Sequence, residues 1–478
     1  MAPTGRLVTW LCLASLAVVR GEAAPPNILF LLADDFCFEA LHAFGDPTVE
    51  TPNLDRLVAR GTTFTHAYNM GSWAPAVCIA SRTMLVTGRS LWQAQRAHGG
   101  LEAERSAGRL WPQLLGAAGY QTFMTGKWHL PVDPAQVFDR VAHVRPGMPS
   151  DTPAGYARPV DGQPDPWNPA DPRFGGYWAG GRHWSEVAAD DAIAFLQQSR
   201  GKSRPFFLYC AFNAPHDPRQ APQAYLDRYP VERMPVPVNA LPQYPHAEVM
   251  GAGPSLRDER LAPFPRTDRA LRTQRREYYA LITHLDAQIG RILGALEAGG
   301  QAENTWIFFT ADHGLAVGQH GLMGKQNMYD HSLRVPFVVV GPGVKANRRI
   351  DAPIHLQDVM PTTLELAGTK RPEQVYFQSI LPLLRDVVSA PRESEIYGAY
   401  LQVQRAWVKD GFKLILYPAG HVVRLFHVAD DPHEMKDLAA DPAHRSTLRR
   451  LFAGLVARQR QLGDPLDLAD GYPELAHE

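Results

Sequence analysis

The feature that most constrains this chain is a series of short, continuous apolar runs, each ending in a polar cluster. Residues 28–33 follow Pro25-Pro26 as one such run, the pattern of a strand buried on both faces, and Asp34-Asp35 comes directly after it. Residues 120–125 lead to Lys127 and His129, residues 206–212 to His216, and residues 306–310 to Asp312-His313. Helical spacing fills the intervals. Thr51-Pro52 reads as an N-cap with proline at the first helical position, opening a helix through Arg60 that Gly61 stops. Further helices are predicted over 81–87, 110–118, 185–198, 270–297 and 357–366, with strands at 64–68 and 337–340. Such alternation predicts an α/β fold, a mostly parallel sheet sandwiched by helices. Ligands bind beyond the carboxyl ends of strands in such sheets, so the four polar clusters can converge on one site.

A chain of 478 residues exceeds one ordinary core, which predicts two unequal domains. After Gly368 the pattern changes: residues 411–417 and 422–428 read as an antiparallel pair around Pro418-Ala419-Gly420, and a helix follows over 446–461. The expected division is a leader at 1–23, a main domain at 24–370 and a smaller α+β subdomain with an antiparallel sheet at 371–478. The leader rests on Arg6, the apolar run 7–19 and the small residues of Gly21-Glu22-Ala23. That run is shorter than the ~20 residues a bilayer requires, so export without a membrane span is expected, to the periplasm or beyond. A formal net charge of −1 gives no global field for nucleic acid or an anionic membrane. With Cys12 in the leader, Cys37, Cys78 and Cys210 do not make a disulfide framework, and buried free thiols at Cys37 and Cys210 are expected rather than a pair. Two long stretches rich in Pro and Gly, 131–182 and 215–265, lack periodicity, as functional loops do.

Taken singly, an Asp-Asp pair is usually a solvated turn and a lone His after a strand usually a bonded loop residue. Their coincidence at strand ends gives them weight. Asp34, Asp35 and Asp312 suit a hard divalent cation such as calcium or magnesium, whereas zinc would call for more His or Cys. Such an ion serves a reaction at an oxyanion. Cys78-Ile79-Ala80-Ser81-Arg82 begins a helix, whose N-terminus favours anions and lowers a thiol pKa. A plain cysteine nucleophile is one reading of that segment. The arginine and the carboxylates point instead to an anionic, hard-oxygen substrate.

The same segment resembles the signature of the type I sulfatase family, where cysteine starts a Cys-x-Pro/Ala-Ser-Arg sequence and is oxidised after translation to formylglycine, the hydrate of which is the nucleophile. The resemblance extends through Asn27-Ile28-Leu29-Phe30-Leu31-Leu32-Ala33-Asp34-Asp35, Thr51-Pro52-Asn53-Leu54-Asp55-Arg56-Leu57, Gly126-Lys127-Trp128-His129 and Thr310-Ala311-Asp312-His313-Gly314. It implies an alkaline-phosphatase-like fold and hydrolysis of a sulfate ester, with bacterial choline-sulfatase-like, arylsulfatase-like and iduronate-2-sulfatase-like members as the nearest pattern. It further implies calcium held by Asp34, Asp35, Asp312, His313 and the modified Cys78, although some members carry Asn at the position of His313. Arg82, Lys127 and Lys325 would hold the sulfate and the nucleophile's oxygens. His216, with Lys325 as the alternative, would protonate the leaving alcohol, and His129 would deprotonate the second hydroxyl of the hydrate.

Ala80 departs from the family's usual proline, as in members matured by the radical, oxygen-independent route, so a formylglycine-generating maturase is an implied partner. The implied substrate is a sulfated glycan or small molecule, with a carbohydrate expected. A phosphonate or phosphate ester hydrolase of the same superfamily, or an unmatured glycan-binding pseudoenzyme, are the alternatives. Residues 143–149 and 167–184 are expected to shape the pocket, with Trp73, Trp92, Arg182 and His183 as candidate sugar contacts.

Overall fold

Every residue from Ile28 to Ala33 is fully buried, and the strand they form lies inside the main sheet. The computed structural model describes residues 25–147, 152–217, 219–387 and 394–476. The expected leader, together with Met148 and Pro149 of the expected pocket segment, lies outside these residues. The sheet is built from β1 (Asn27–Ala33), β2 (Thr62–Phe64), β3 (Gln121–Lys127), β4 (Arg140–Arg145), β5 (Phe206–Ala211), β6 (Thr305–Ala311), β7 (Phe337–Val340) and β8 (Arg348–Ile350). Its order is β8-β2-β7-β6-β1-β5-β3-β4. The five strands from β6 to β4 run parallel, and β7 is antiparallel to both β6 and β2, so the sheet is mixed and mostly parallel as expected.

The helices α1 (Pro52–Arg60), α2 (Val77–Thr87), α3 (Trp184–Ser199) and α4 (Asp268–Ala298) fall close to their expected positions. The start of α1 is secured differently from the sequence expectation. The Thr51 hydroxyl accepts from His42 N–H at 3.1 Å and donates to Asp55 at 3.0 Å, so it caps nothing. Asp286 of α4 does the capping, accepting the N–H of Asn53 at 3.1 Å and of Leu54 at 2.7 Å. A carboxylate at a helix N-terminus satisfies orphan donors and opposes the dipole.

Three other expectations need correction. Residues 64–68 do not form one strand, because the chain leaves the large sheet after Phe64 and Ala67–Tyr68 joins a separate three-stranded sheet. The stretch 131–182 is not wholly irregular, since β4 extends the sheet beside β3. Its residues are half-buried or exposed, as at an edge, and so carry no alternation for a pattern to reveal. The C-terminal sheet has more than the expected pair: β9 (Ile396–Tyr400), β10 (Gln404–Lys409), β11 (Phe412–Tyr417) and β12 (Val422–His427) form an antiparallel meander. A short strand from far upstream, Gly71–Ser72, pairs in parallel with β9 and completes that sheet.

A long helix near the C-terminus, α5 (Arg445–Leu462), covers the meander with Leu448, Leu451, Phe452 and Leu455, which join a core containing Trp407 and Leu414. Each such side chain contributes about 1.5–3 kcal/mol. Cys37 and Cys210 are buried free thiols, as expected. No described helix is long and apolar enough to cross a membrane.

Candidate active site

The parallel strands β1, β3, β5 and β6 deliver their polar residues to one end of the sheet. Asp34 and Asp35 leave β1, with Asp35 in the left-handed region at φ 64°. That conformation is costly for a non-glycine residue and persists only where surroundings impose it. Asp312 leaves β6, its N–H bonded to Ala33 O at 3.1 Å. Lys127 ends β3 just after a register shift around Gly126, which has φ 95° and lies where a Cβ would collide with Ala211 O. A bulge of this kind re-aims the side chain that follows it. From α2 come Cys78, Ser81 and Arg82, three and four residues apart and therefore on one face. The Ser81 hydroxyl donates to Asp312 O at 2.7 Å and ties the helix to β6.

Atoms of Asp34, Asp35, Cys78, Asp312 and His313, one from each, lie within 4.8 Å of one another, and all five residues are buried. His313 Nδ1 donates to Gly314 O at 2.7 Å, which turns the lone pair of Nε2 inward. That lone pair faces Asp35 Oδ1 at 3.1 Å and Cys78 Sγ at 3.3 Å. Carboxylate oxygens, an imidazole lone pair and a sulfur gathered this closely in a buried site suit a cation, so the donor set fits a metal ion. The electrostatics agree. Burial pushes the Asp35 carboxyl well up against the pull of Lys325, and the neighbouring charges of Asp34 and Asp312 push it further. Asp34 is also penalised by burial, yet the charges of Lys127 and Arg82 hold it well below the usual carboxylate range. The buried Cys78 thiol is raised, by desolvation first and Asp34 second. The thiolate favoured by a helix N-terminus is therefore overridden here.

Three cations surround this cluster. Arg82 Nε donates to Asp312 at 3.0 Å and Nη1 to Lys127 O at 2.6 Å, while Nη2 has no hydrogen-bond partner among the described residues. Lys127 Nζ donates to Asp34. Lys325 Nζ donates to both oxygens of Asp35, at 3.0 and 2.8 Å, and to His216 Nε2 at 2.8 Å, and it lies 3.6 Å from Cys78 Sγ. His216 Nδ1 donates to Asp217 O at 2.7 Å, so Nε2 is an acceptor in this arrangement. Burial and then the charge of Lys325 hold the imidazole neutral, while Asp35 outweighs burial and keeps Lys325 charged. The proton shared by this pair thus resides on Lys325. His129 is held down to about 3 by burial first, then by Lys127 and Arg82, and is neutral with Nδ1 unpartnered.

A cleft of about 370 Å³ reaches this arrangement, with Cys78, His129, His216, Arg257 and Lys325 in its walls. The residues expected as catalytic or metal-ligating, Asp34, Asp35, Cys78, Arg82, Lys127, His129, His216, Asp312, His313 and Lys325, are brought together. The sequence reasoning missed the supports of Lys325. Glu259 accepts the N–H groups of Met323 at 3.0 Å and Gly324 at 2.9 Å, and Asp258 accepts from Gln326 at 2.8 Å. Both lie in a Pro-rich stretch without periodicity, and an Asp-Glu pair there carries no signal. Two expected sugar contacts are corrected. Trp92 is buried and donates to Tyr397 at 3.0 Å, and His183 is buried, accepting from Ser185 N–H while bonded to Gln220 O. Arg182 pairs with Asp190, and Trp73 lies 5.9 Å from the His98 ring.

A family model described as Sulfatase matches residues 26–369, most of the chain. The chain belongs to the sulfatase family. A second model, N-sulphoglucosamine sulphohydrolase, C-terminal, matches residues 318–461. This sulfatase is 27% identical to an arylsulfatase of Clostridium perfringens over 94% of this chain and 98% of the relative. It is 26% identical to an N-acetylglucosamine-6-O-sulfatase of Bacteroides thetaiotaomicron, over 93% of this chain and 88% of that one. Among solved structures it superposes with TM-score 0.69 and 24% identity on a protein in complex with its substrate D-glucosamine-2-N,6-O-disulfate, covering 92% of this chain and 99% of that one. The phosphonate monoester hydrolase of Silicibacter pomeroyi shares the fold, with TM-score 0.69, 21% identity and 91% and 95% of the two chains covered. The chain is a sulfuric ester hydrolase of alkaline-phosphatase-like fold.

Proposed function

We propose that this sulfatase removes a sulfate ester from a carbohydrate, using formylglycine made from Cys78 and a calcium ion held by Asp34, Asp35, Asp312, His313 and the side chain at position 78. The observation that carries the proposal is the setting of Cys78 Sγ, 3.3 Å from both Asp34 Oδ1 and His313 Nε2 and 3.6 Å from Lys325 Nζ, in the wall of the cleft. A carbohydrate substrate is supported by the names of its relatives, among them an ulvan-active sulfatase of Formosa agariphila.

Three carboxylates and one imidazole favour calcium over zinc. When bound, the ion offsets the carboxylate charge and polarises the ester under attack. Formylglycine supplies, as its hydrate, an attacking hydroxyl and a second hydroxyl that allows sulfate to be expelled. The remaining work belongs to the chain. Arg82 fixes Asp312 and offers a sulfate oxygen its Nη2, which lies 3.7 Å from Asp34 Oδ2 without a hydrogen bond, Lys127 orients Asp34, and Lys325 holds charge beside position 78. The Lys325–His216 pair delivers a proton to the departing alcohol. His129, neutral and unpartnered at Nδ1, accepts the proton of the second hydroxyl. The proposal includes export by the leader at 1–23 and maturation by an oxygen-independent formylglycine-generating enzyme that accepts Ala80.

Peptide mass spectrometry of an active preparation should find an aldehyde in place of the thiol at position 78. An active preparation with cysteine only at that position would sink the proposal. Faster turnover of a phosphonate monoester than of the matching sulfate would reassign the substrate class.

A further inference from the structure

The ammonium of Lys325 meets Asp35, His216 and Cys78 together, which demands precise placement. Its own chain segment does not supply that precision, because residues 321–329 form neither helix nor strand. A loop of this kind keeps a side chain in place only where other groups hold the loop.

The holding groups converge on Glu259. Its Oε2 accepts Met323 N–H at 3.0 Å, and its Oε1 accepts Gly324 N–H at 2.9 Å. Arg266 Nη2 donates to Glu259 Oε2 at 2.6 Å, and Arg266 Nε donates to Gly321 O at 3.0 Å. The counter-ion of the carboxylate therefore grips the same loop two residues earlier. Lys325 N–H donates to the Gln326 side chain at 3.0 Å, and Gln326 Nε2 donates to Asp258 at 2.8 Å. The fit is close: a Cβ on Gly324 would lie 2.6 Å from Gln326 Oε1 and 3.0 Å from Glu259 Oε1. Leu256, Arg257 and Asp258 line the cleft, while Glu259, the next residue, is buried.

We propose that Glu259 is a positioning residue of the reaction, setting where the Lys325 ammonium lies against position 78 and His216. This role rests on the part given to Lys325 under the proposed function. The arrangement calls for a carboxylate. Three N–H donors, from Met323, Gly324 and Arg266, meet at two oxygens, and an ionised carboxylate is acceptor-only. Glutamine has the same shape but replaces one oxygen with an NH₂, so a donor faces a donor. Burial raises this carboxyl to about 7 against the pull of Arg266, so the measurements belong well above that pH, where it is ionised.

The test is a double-variant cycle on a sugar sulfate, with full-length preparations matched for formylglycine content. Glu259→Gln should lower kcat/KM by roughly 10- to 100-fold, as a displacement of about 1 Å at a reacting group does. In the Lys325→Met background, where no ammonium remains to be placed, the same substitution should cost roughly twofold or less. A general loss of stability would cost the same in both backgrounds, so equal losses overturn the proposal. Undiminished kcat/KM in Glu259→Gln overturns it as well. That variant leaves the buried Arg266 without its counter-ion, so Gly324→Ala is made beside it and decides the matter if Glu259→Gln does not fold. Gly324→Ala orphans no charge but presses a methyl group against Glu259 and Gln326. Its loss should also vanish in the Lys325→Met background, and a loss that persists there overturns the proposal. A slow Lys325→Met beside undiminished Glu259→Gln removes the positioning role alone. Lys325→Met that turns over like the unsubstituted protein removes the part given to Lys325 and this proposal with it.

Discussion

Replacing His216 with alanine separates proton delivery from sulfate binding. Lys325 Nζ donates to His216 Nε2 at 2.8 Å, and His216 Nδ1 is fixed on Asp217 O at 2.7 Å, so the imidazole is aligned with the cation that carries the proton. A sugar alkoxide must be protonated as the S–O bond breaks, whereas a nitrophenolate departs unaided. General-acid assistance is worth roughly 10²–10⁴-fold, or about 2.7–5.4 kcal/mol at 1.36 kcal/mol per decade. His216→Ala should lose that factor in kcat/KM on an alkyl or sugar sulfate and far less on an activated aryl sulfate. Lys325→Met should slow both substrates, because it also removes the charge beside position 78. The double variant should be little worse on the sugar sulfate than the poorer single variant, since groups that act as a unit are not additive. Preparations must be matched for formylglycine content, because unequal maturation mimics a catalytic loss. Equal losses on both substrates after His216→Ala would refute proton delivery, and additive losses in the double variant would refute a shared proton.

The carboxylate cluster predicts that chelation lowers the melting temperature and that added calcium restores it, a linkage worth about 2.7 kcal/mol at a hundredfold excess over Kd. A melting temperature unmoved by chelator would remove the metal site. Asp312→Asn should abolish turnover while leaving the far-UV circular dichroism unchanged; retained turnover contradicts the ligand role. Asp286→Ala should cost about 1–2 kcal/mol in denaturant unfolding, by uncapping α1 without touching the site. Gly126→Ala forces a side chain against Ala211 O and displaces Lys127. Since a misplacement of about 1 Å can cost about 10²-fold, kcat/KM should fall by at least that much, and wild-type turnover would refute the account of the bulge.

Much of this site was legible because it hangs on strands whose two faces are both buried. A run such as 28–33 can be little else, and the residue after it must emerge at the sheet's end. The helix ends marked by Pro52 and Gly61 were equally plain. What escaped depends on partners distant in sequence. The cap of α1 comes from Asp286, more than two hundred residues away, and no local pattern announces it. β4 is an edge strand of Arg, Val, Ala and His with no buried face, so the period of two never develops. Trp92 and His183 looked like surface ligands because tryptophan and histidine are common at sugar sites, yet burial is a property of the packed chain. The direction of β7 was not readable either, since a strand of Val and Phe looks alike in both orientations.

The pairing of Gly71–Ser72 with β9 bears on how this chain can be divided. Those two residues lie six and seven positions ahead of Cys78, on the segment that leads into α2. The neighbouring β10 reaches the other side of the cleft, where Gln404 Nε2 donates to Gln326 O at 2.7 Å, next to Lys325. The C-terminal meander is thus a brace for both walls of the cleft rather than an appendage. A protease cut near residue 370 should abolish turnover even if the large sheet survives. Exchange of C-terminal regions between relatives should succeed only when the segment around residues 69–77 travels with them. The evolutionary unit here is an interleaved pair of segments, and insertions between relatives are expected to avoid both.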